Sequence, residues 1–269
     1  MTVKYYVKVI VLLTLALKSE AFALPAYARL FQAKYRYRTS CNLCHSAGGG
    51  STVTDYGRDF LRAGGNYSAF SKIEKLDSDG DDIPNLVEIL AKSNPGDTKS
   101  LPTKPGDWLA DASSVSVPEK DLKKLFPDAE EFSALEGSLK DTQVNSIESQ
   151  IGAKLSDEDK VPTFYFAIKA GKKIAVAQFV SAPSTKGPIP IAVAMNTSGT
   201  VSSVRILKNP SEKAIENTAF LSQFNGKTKS DSMQIGKDIR VADGSDAISK
   251  EVSLAVKKAI LMISAVFGK

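Results

Sequence analysis

Cys41, Cys44 and His45 form a C-x-x-C-H run, and they are the only cysteines and the only histidine in the chain. Two thiols separated by two residues fit on one turn of helix, where both can add across the vinyl groups at a porphyrin edge. The imidazole that follows them then reaches the iron. This pattern predicts one covalent haem c on Cys41 and Cys44, with His45 as an axial ligand. Two rival readings use the same residues. A thioredoxin-like redox pair needs a buried strand before it, and Tyr35-Arg36-Tyr37-Arg38-Thr39-Ser40 is too charged for one. A plain disulfide leaves the adjacent histidine unexplained. With His45 committed, methionine is the usual alternative for the second face of the iron. Met195, Met233 and Met262 are all distant in sequence, and Met195 runs in phase with Ile189, Ile191 and Val193 as a core side chain would. The sixth position is expected to be open or to hold an unusual ligand.

A second constellation begins at residue 77. Asp77, Asp79, Asp81, Asn85 and Glu88 place oxygen side chains at positions 1, 3, 5, 9 and 12 of a loop, and Ile83 offers its carbonyl at position 7. That is EF-hand spacing, suited to a hard cation that takes about six to eight oxygens, so calcium is expected. The departure is position 6, where Asp82 replaces the usual glycine; aspartate tolerates positive φ better than most residues. The alternative is a solvated, Asp-rich turn that caps the helix Leu86 to Lys92. A single loop with no methionine-rich groove points to a structural calcium rather than a sensor.

These sites must be positioned by a chain of 269 residues with a formal charge of +5, enough for two modest domains. Lys4 and Lys8 precede an apolar run from Val9 to Leu17, and Ala21-Phe22-Ala23 follows, which reads as a secretory signal peptide over residues 1–23. The run is too short for a hydrocarbon core, which takes about 20 helical residues. Removing it leaves a charge of +3, which excludes a nucleic-acid or polybasic membrane role. No later segment reads as a transmembrane span, so an exported, periplasmic protein is expected. Residues 97 to 118 carry Pro102, Pro105 and Pro118 without apolar period and read as a linker that Trp108 pins to one domain. Beyond it, helical periodicity over Asp121 to Phe132 and Asp141 to Ile151 gives way to strand-like runs over Thr163 to Ile168, Lys173 to Val180, Ile189 to Asn196 and Val201 to Leu207. A helix from Lys250 to Phe267 closes an α+β pattern.

Three resemblances together cover most of the chain. Pro25-Ala26-Tyr27-Ala28-Arg29, the C-x-x-C-H run and Tyr56-Gly57-Arg58-Asp59-Phe60 resemble small exported monohaem c-type cytochromes, over residues 25 to 65. The segment from Leu76 to Asp97 resembles the calcium-binding modules that often follow such haem segments. Leu125-Phe126-Pro127, Asp141-Thr142-Gln143, the meander with Gly199 at its turn, the run Phe220 to Lys227 and Gly236-Lys237-Asp238-Ile239 together resemble, in their order, the FMN-binding domain of periplasmic subunits in ion-pumping redox complexes. Flavin-carrying members of that family attach FMN to the threonine of an S-G-A-T run that is followed by [ST]-S. Here the aligned residues are Asp243-Gly244-Ser245-Asp246, then Ala247-Ile248-Ser249. Asp246 lacks the hydroxyl that would form the phosphoester, so covalent FMN is not expected. Gly244, Ser245 and Ser249 are what remains of a possible flavin phosphate site.

The expected organisation is a signal peptide (1–23), a small α-helical haem domain with a calcium loop (24–97), a linker (98–118) and an FMN-binding-like α+β domain (119–269). The expected role is one-electron transfer to and from redox partner proteins. No catalytic triad is available once the single histidine is committed. Alternatives are a reductase using noncovalent FMN, a haem-based ligand binder with an open sixth position, and a subunit whose flavin-like domain only makes protein contacts.

Overall fold

The computed structural model describes residues 26–46, 53–113, 117–207, 209 and 213–268. The segment read as a signal peptide lies outside them. The first part is helical, with α1 (Ala26–Tyr35), a 3-10 turn (Cys41–Leu43), α2 (Asp55–Arg62), α3 (Tyr67–Ile73) and α4 (Asn85–Ala91). These are short, and each is held by burying one face: Leu30, Phe31, Leu43, Tyr56, Phe60, Phe70, Ile73 and Ile89 form one cluster. Its aromatic rings meet edge-on or tilted, Phe31 with Phe70 at 5.7 Å and Phe60 with Phe70 at 4.7 Å, arrangements that ring quadrupoles favour.

The rest of the chain is built on five antiparallel strands in sequential order, β1 (Glu131–Glu136), β2 (Thr163–Lys169), β3 (Lys172–Ala182), β4 (Ile189–Asn196) and β5 (Val201–Ile206). Helices, among them the one-turn α7 (Asp157–Lys160) and α8 (Thr218–Leu221), plus this sheet make the α+β pattern. Period-two alternation sends Phe164, Phe166, Val176, Val180, Ile191, Val193 and Met195 to one face, under α6 (Asp141–Ile151) and α9 (Asp246–Phe267). The other face carries Tyr165, Ala167, Ala177, Phe179, Ala192 and Ala194. Its alanines leave room for α5 (Glu119–Leu125), which buries Leu122 and Leu125 there. With both faces covered, the strands read as nearly continuous apolar runs. β2 and β3 are joined by Ala170-Gly171, both at positive φ (48° and 68°), as a two-residue hairpin turn of this twist requires.

The meander and closing helix follow the sequence expectation, with two differences. The helix expected to reach Phe132 stops at Leu125, because Pro127 cannot donate to the helical ladder. Residues 131–136 then pair with β2, Phe132 opposite Ala167 and Ala134 opposite Tyr165. The closing helix starts at Asp246 rather than Lys250. Among the described residues, no helix is long and apolar enough to cross a membrane.

The N-terminal helix touches both parts. Ala26 and Tyr27 pack on the alanine-lined face of the sheet, whereas Leu30 and Phe31 belong to the helical cluster. The Arg29 guanidinium donates to the carbonyls of Gly137 (2.7 Å), Pro162 (3.0 Å) and Val161. Arg38 forms a two-pronged ion pair with Glu136 at 2.6 and 3.1 Å. The segment read as a linker runs as turns, with the Trp108 indole donating to Lys92 O at 2.9 Å and Leu101 bridged to Lys104.

Candidate functional site

The cysteine turn is fixed by backbone bonds. Ser40 caps it by accepting from Asn42 N, and the Cys41 carbonyl accepts from both Cys44 N (3.2 Å) and His45 N (2.9 Å). One turn therefore presents Cys41, Cys44 and His45 together. Both cysteines are free thiols, and His45 is buried. Burial pushes the Cys44 thiol up to about 12, with the neighbouring Cys41 adding to it, and burial raises Cys41 as well. A reactive redox pair needs a thiolate stabilised near neutral pH, so this environment argues against the thioredoxin-like reading.

Thr54 and Gly57 brace the turn from the far side. Thr54 N donates to Cys44 O (3.0 Å), and its hydroxyl donates to Leu43 O (2.7 Å) while accepting from Gly57 N as the N-cap of α2. Gly57 is there because α2 lies directly on the cysteine turn: a Cβ would stand 2.4 Å from Cys44 O. Gly57→Ala is therefore expected to cost about 2 kcal/mol in denaturant unfolding. Wild-type stability in that variant would show that α2 does not rest on the turn. Sequence reasoning noted the Tyr-Gly-Arg-Asp-Phe segment only as a resemblance; the signal for its role was Thr54 standing directly before an acidic first turn.

Tyr27 and Tyr56 share the electrostatic surroundings of Cys44, and Tyr165 those of Cys41. The Tyr56 and Tyr165 hydroxyls are buried with no hydrogen-bond partner. Arg38 sets a positive charge near Cys41, opposed by Asp111. Two unpaired thiols and an imidazole on one turn, with Cys44 packed against the aromatic cluster and the Arg38 charge acting on Cys41, fit the donor set of an attached haem. Met195, Met233 and Met262 are all buried in the core on the α9 face of the sheet, with Met262 Sδ accepting from Gln178 Nε2 at 3.5 Å.

The acidic loop folds around Asp77. Its carboxylate accepts from Gly80 N, Asp81 N and Asp82 N, and Asp82 takes a φ of 69° at the position where glycine is usual. The ligand atoms of Asp77, Asp79 and Asp81 lie within 4.8 Å of one another. Neither Asp79 oxygen, nor Asp81 Oδ2, nor Glu88 Oε2 has a hydrogen bond of ordinary geometry, although all four are buried. Burial, then the charge of Asp81, pushes Asp79 up to about 6. Burial, then Asp79 and Asp81, pushes Glu88 up to about 8. Such unsatisfied, mutually repelling carboxylates fit a divalent cation. Asn85 is placed differently from a simple ligand: its Oδ1 accepts from Ser78 N, and its Nδ2 donates to Ile73 O and Ser78 Oγ. It ties the loop shut, with one lone pair of Oδ1 left over for a water-bridged contact. Ile83 N bonds Asp81 Oδ1, fixing the peptide that precedes its carbonyl.

The loop and the cysteine turn are connected. Ser93 Oγ lies 3.4 Å from Glu88 Oε1, and the next residue, Asn94, donates from Nδ2 to Asn42 O at 3.3 Å. Gly96 lies against Thr54, where a Cβ would stand 2.9 Å from its side chain.

At the flavin-like turn, Gly244 takes a φ of 70° and α9 begins at Asp246. Ser249 is fully buried, and its hydroxyl accepts from Ala242 N at 3.0 Å. Ser245 is buried, with its hydroxyl 3.5 Å from Asp243 O. Both surviving hydroxyls are thus turned inward. The exposed groups at this helix start are the carboxylates of Asp243 and Asp246, which themselves answer the positive end of the helix dipole.

Protein-family models contain no match to this chain, and no curated protein matches it.

Proposed function

We propose that this chain is an exported, periplasmic electron carrier with one haem c attached at Cys41 and Cys44 and His45 on the iron. In this reading residues 24–97 are a small haem domain stiffened by calcium on Asp77, Asp79, Asp81, Glu88 and the Ile83 carbonyl, with Asn85 assisting through water. Residues 119–269 are an FMN-binding-like domain without covalent flavin that offers surface to redox partner proteins. The observation that carries the reading is the turn in which one carbonyl, that of Cys41, gathers two reduced thiols and the only histidine.

When bound, the haem supplies a one-electron couple. The chain's own part is to hold the thiols and imidazole in register, to keep water away with Leu43, Tyr56 and Phe60, and to place the Arg38 charge nearby. Absorption spectra of holoprotein made with haem-attachment machinery test this. The Soret and visible bands are expected to stay with the polypeptide after denaturation, with no flavin absorbance. A colourless protein would overturn the reading.

The ligand-binder alternative is favoured by one observation, the burial of Met195, Met233 and Met262 on the α9 face of the sheet. A high-spin ferrous spectrum would select it over the carrier.

A further inference from the structure

We propose that the cavity of about 730 Å³ between the β4–β5 turn and the C-terminal end of α9 is a binding site for a flat aromatic carboxylate. Its size is that of a small-molecule site. The floor is apolar and belongs to the main core: Phe166, Val176 and Ile263. Phe267 completes it and is one of the few large hydrophobic side chains left exposed, at 38%. Its ring stands edge-on to Phe166, with centroids 5.3 Å apart, so the two rings leave an apolar slot open to one side.

The charged side chains in the described lining are of one sign, beside neutral polar groups such as Asn196, Ser198 and Thr228. Lys173 Nζ lies 3.8 Å from the centroid of the Phe166 ring, and Lys229 stands on the segment that closes another wall. No acidic residue is among the described lining. An apolar slot with two cations at its rim and no acidic side chain in its described lining is complementary to an anion with an aromatic body, which the floor would bury while the lysines meet its carboxylate.

The walls are held in place before any ligand arrives. Lys257 donates to the carbonyls of Lys229 (2.7 Å) and Asp231, and Asp231 accepts from Thr228 N and Oγ1. On the opposite wall, Asn196 Oδ1 accepts from Ser198 N and Thr200 N, locking the β4–β5 turn. Little order need be imposed on binding, which favours affinity. The site is separate from the flavin-like turn. Asp246 and Phe267 are the two ends of α9, so at 1.5 Å per residue the cavity lies about 30 Å from that turn. The proposal does not depend on haem or calcium.

Isothermal titration of the full chain with 2-naphthoate tests it. Saturable one-to-one binding is expected, weakened about tenfold in Lys173→Met/Lys229→Met through loss of roughly 1.4 kcal/mol of charge-assisted contact. Both lysines are exposed, so the melting temperature of that variant is expected to hold. Phe267→Ala is expected to weaken binding as well, and the neutral 2-naphthamide to bind about tenfold more weakly than the acid. Equal affinity for the acid and the amide, undiminished binding in the double lysine variant, or no heat of binding at all would overturn the assignment.

Discussion

Cys41→Ala/Cys44→Ala is expected to carry no covalent haem, while each single substitution keeps one thioether and a weakened stain. In the proposed reading covalent attachment would reside wholly in the two sulfurs, since vinyl addition needs the thiols themselves, and His45 alone would hold iron only while the chain is folded. The variant also isolates chemistry from folding. The turn is held by main-chain bonds to Cys41 O and by Thr54, none of which involves a sulfur atom. Cys41 keeps part of its surface exposed while the Cys44 sulfur packs on the aromatic cluster, so truncating both to alanine is expected to cost no more than about 2 kcal/mol. Haem staining after denaturing electrophoresis reads the result. A stained band surviving in the double variant would sink the assignment of these cysteines.

The second large effect concerns pH and calcium together. In metal-free protein, Glu88 sits near 8 against an ordinary 4.5, and Asp79 near 6 against 3.8. The folded state therefore holds protons that the unfolded state releases. Stability is fully present at low pH, below the unfolded values, and is lost as pH rises through the folded ones, between about 4.5 and 8 for Glu88. Glu158, raised by burial first, acts in the same direction. For Glu88 a shift of that size corresponds to about 5 kcal/mol at full strength, and solvent screening at the loop brings the expected loss to on the order of 3 kcal/mol. Calcium reverses the slope: carboxylates must be deprotonated to bind it, so in excess calcium stability is expected to rise from pH 5 to pH 8. Glu88→Gln should flatten most of the metal-free profile and blunt the calcium response. Melting curves at pH 5 and 8, with chelator and with calcium, decide it; four coincident curves would mean that the loop is only a turn.

What could be read from sequence was what is local. The cysteine turn and the acidic loop each lie within a dozen residues, so spacing alone could single out Cys41, Cys44, His45 and the loop carboxylates as groups that share one turn or one loop. The meander was legible because β2 to β4 are mostly buried on both faces and so carry few polar interruptions, Gln178 and Ser181 of β3 being the exceptions within the run. β1 was not, since Glu131–Glu136 has polar ends and becomes a strand through pairing with β2. Pro127 was in plain view, but helical periodicity on either side of it concealed the stop. Asn85 was legible as an oxygen donor at the right spacing, yet its bonds to Ile73 and Ser78 depend on how the loop closes on α3. Least legible was the seam between the two parts. Neither Arg29 nor Arg38 carries any local sign that its partners are Gly137, Val161, Pro162 and Glu136.

That seam bears on the order in which the molecule is made. The carbonyls that Arg29 grips lie 108 to 133 positions further along the chain, so α1, though synthesised early, cannot close until residue 162 has emerged. Contacts so remote in sequence are the slow ones to form. During synthesis there is consequently an interval in which the short helices around Cys41 and Cys44 exist without the sheet that backs them. In that interval the thiols are more open than in the finished protein, and an enzyme acting on them has its widest access before the second half of the chain arrives.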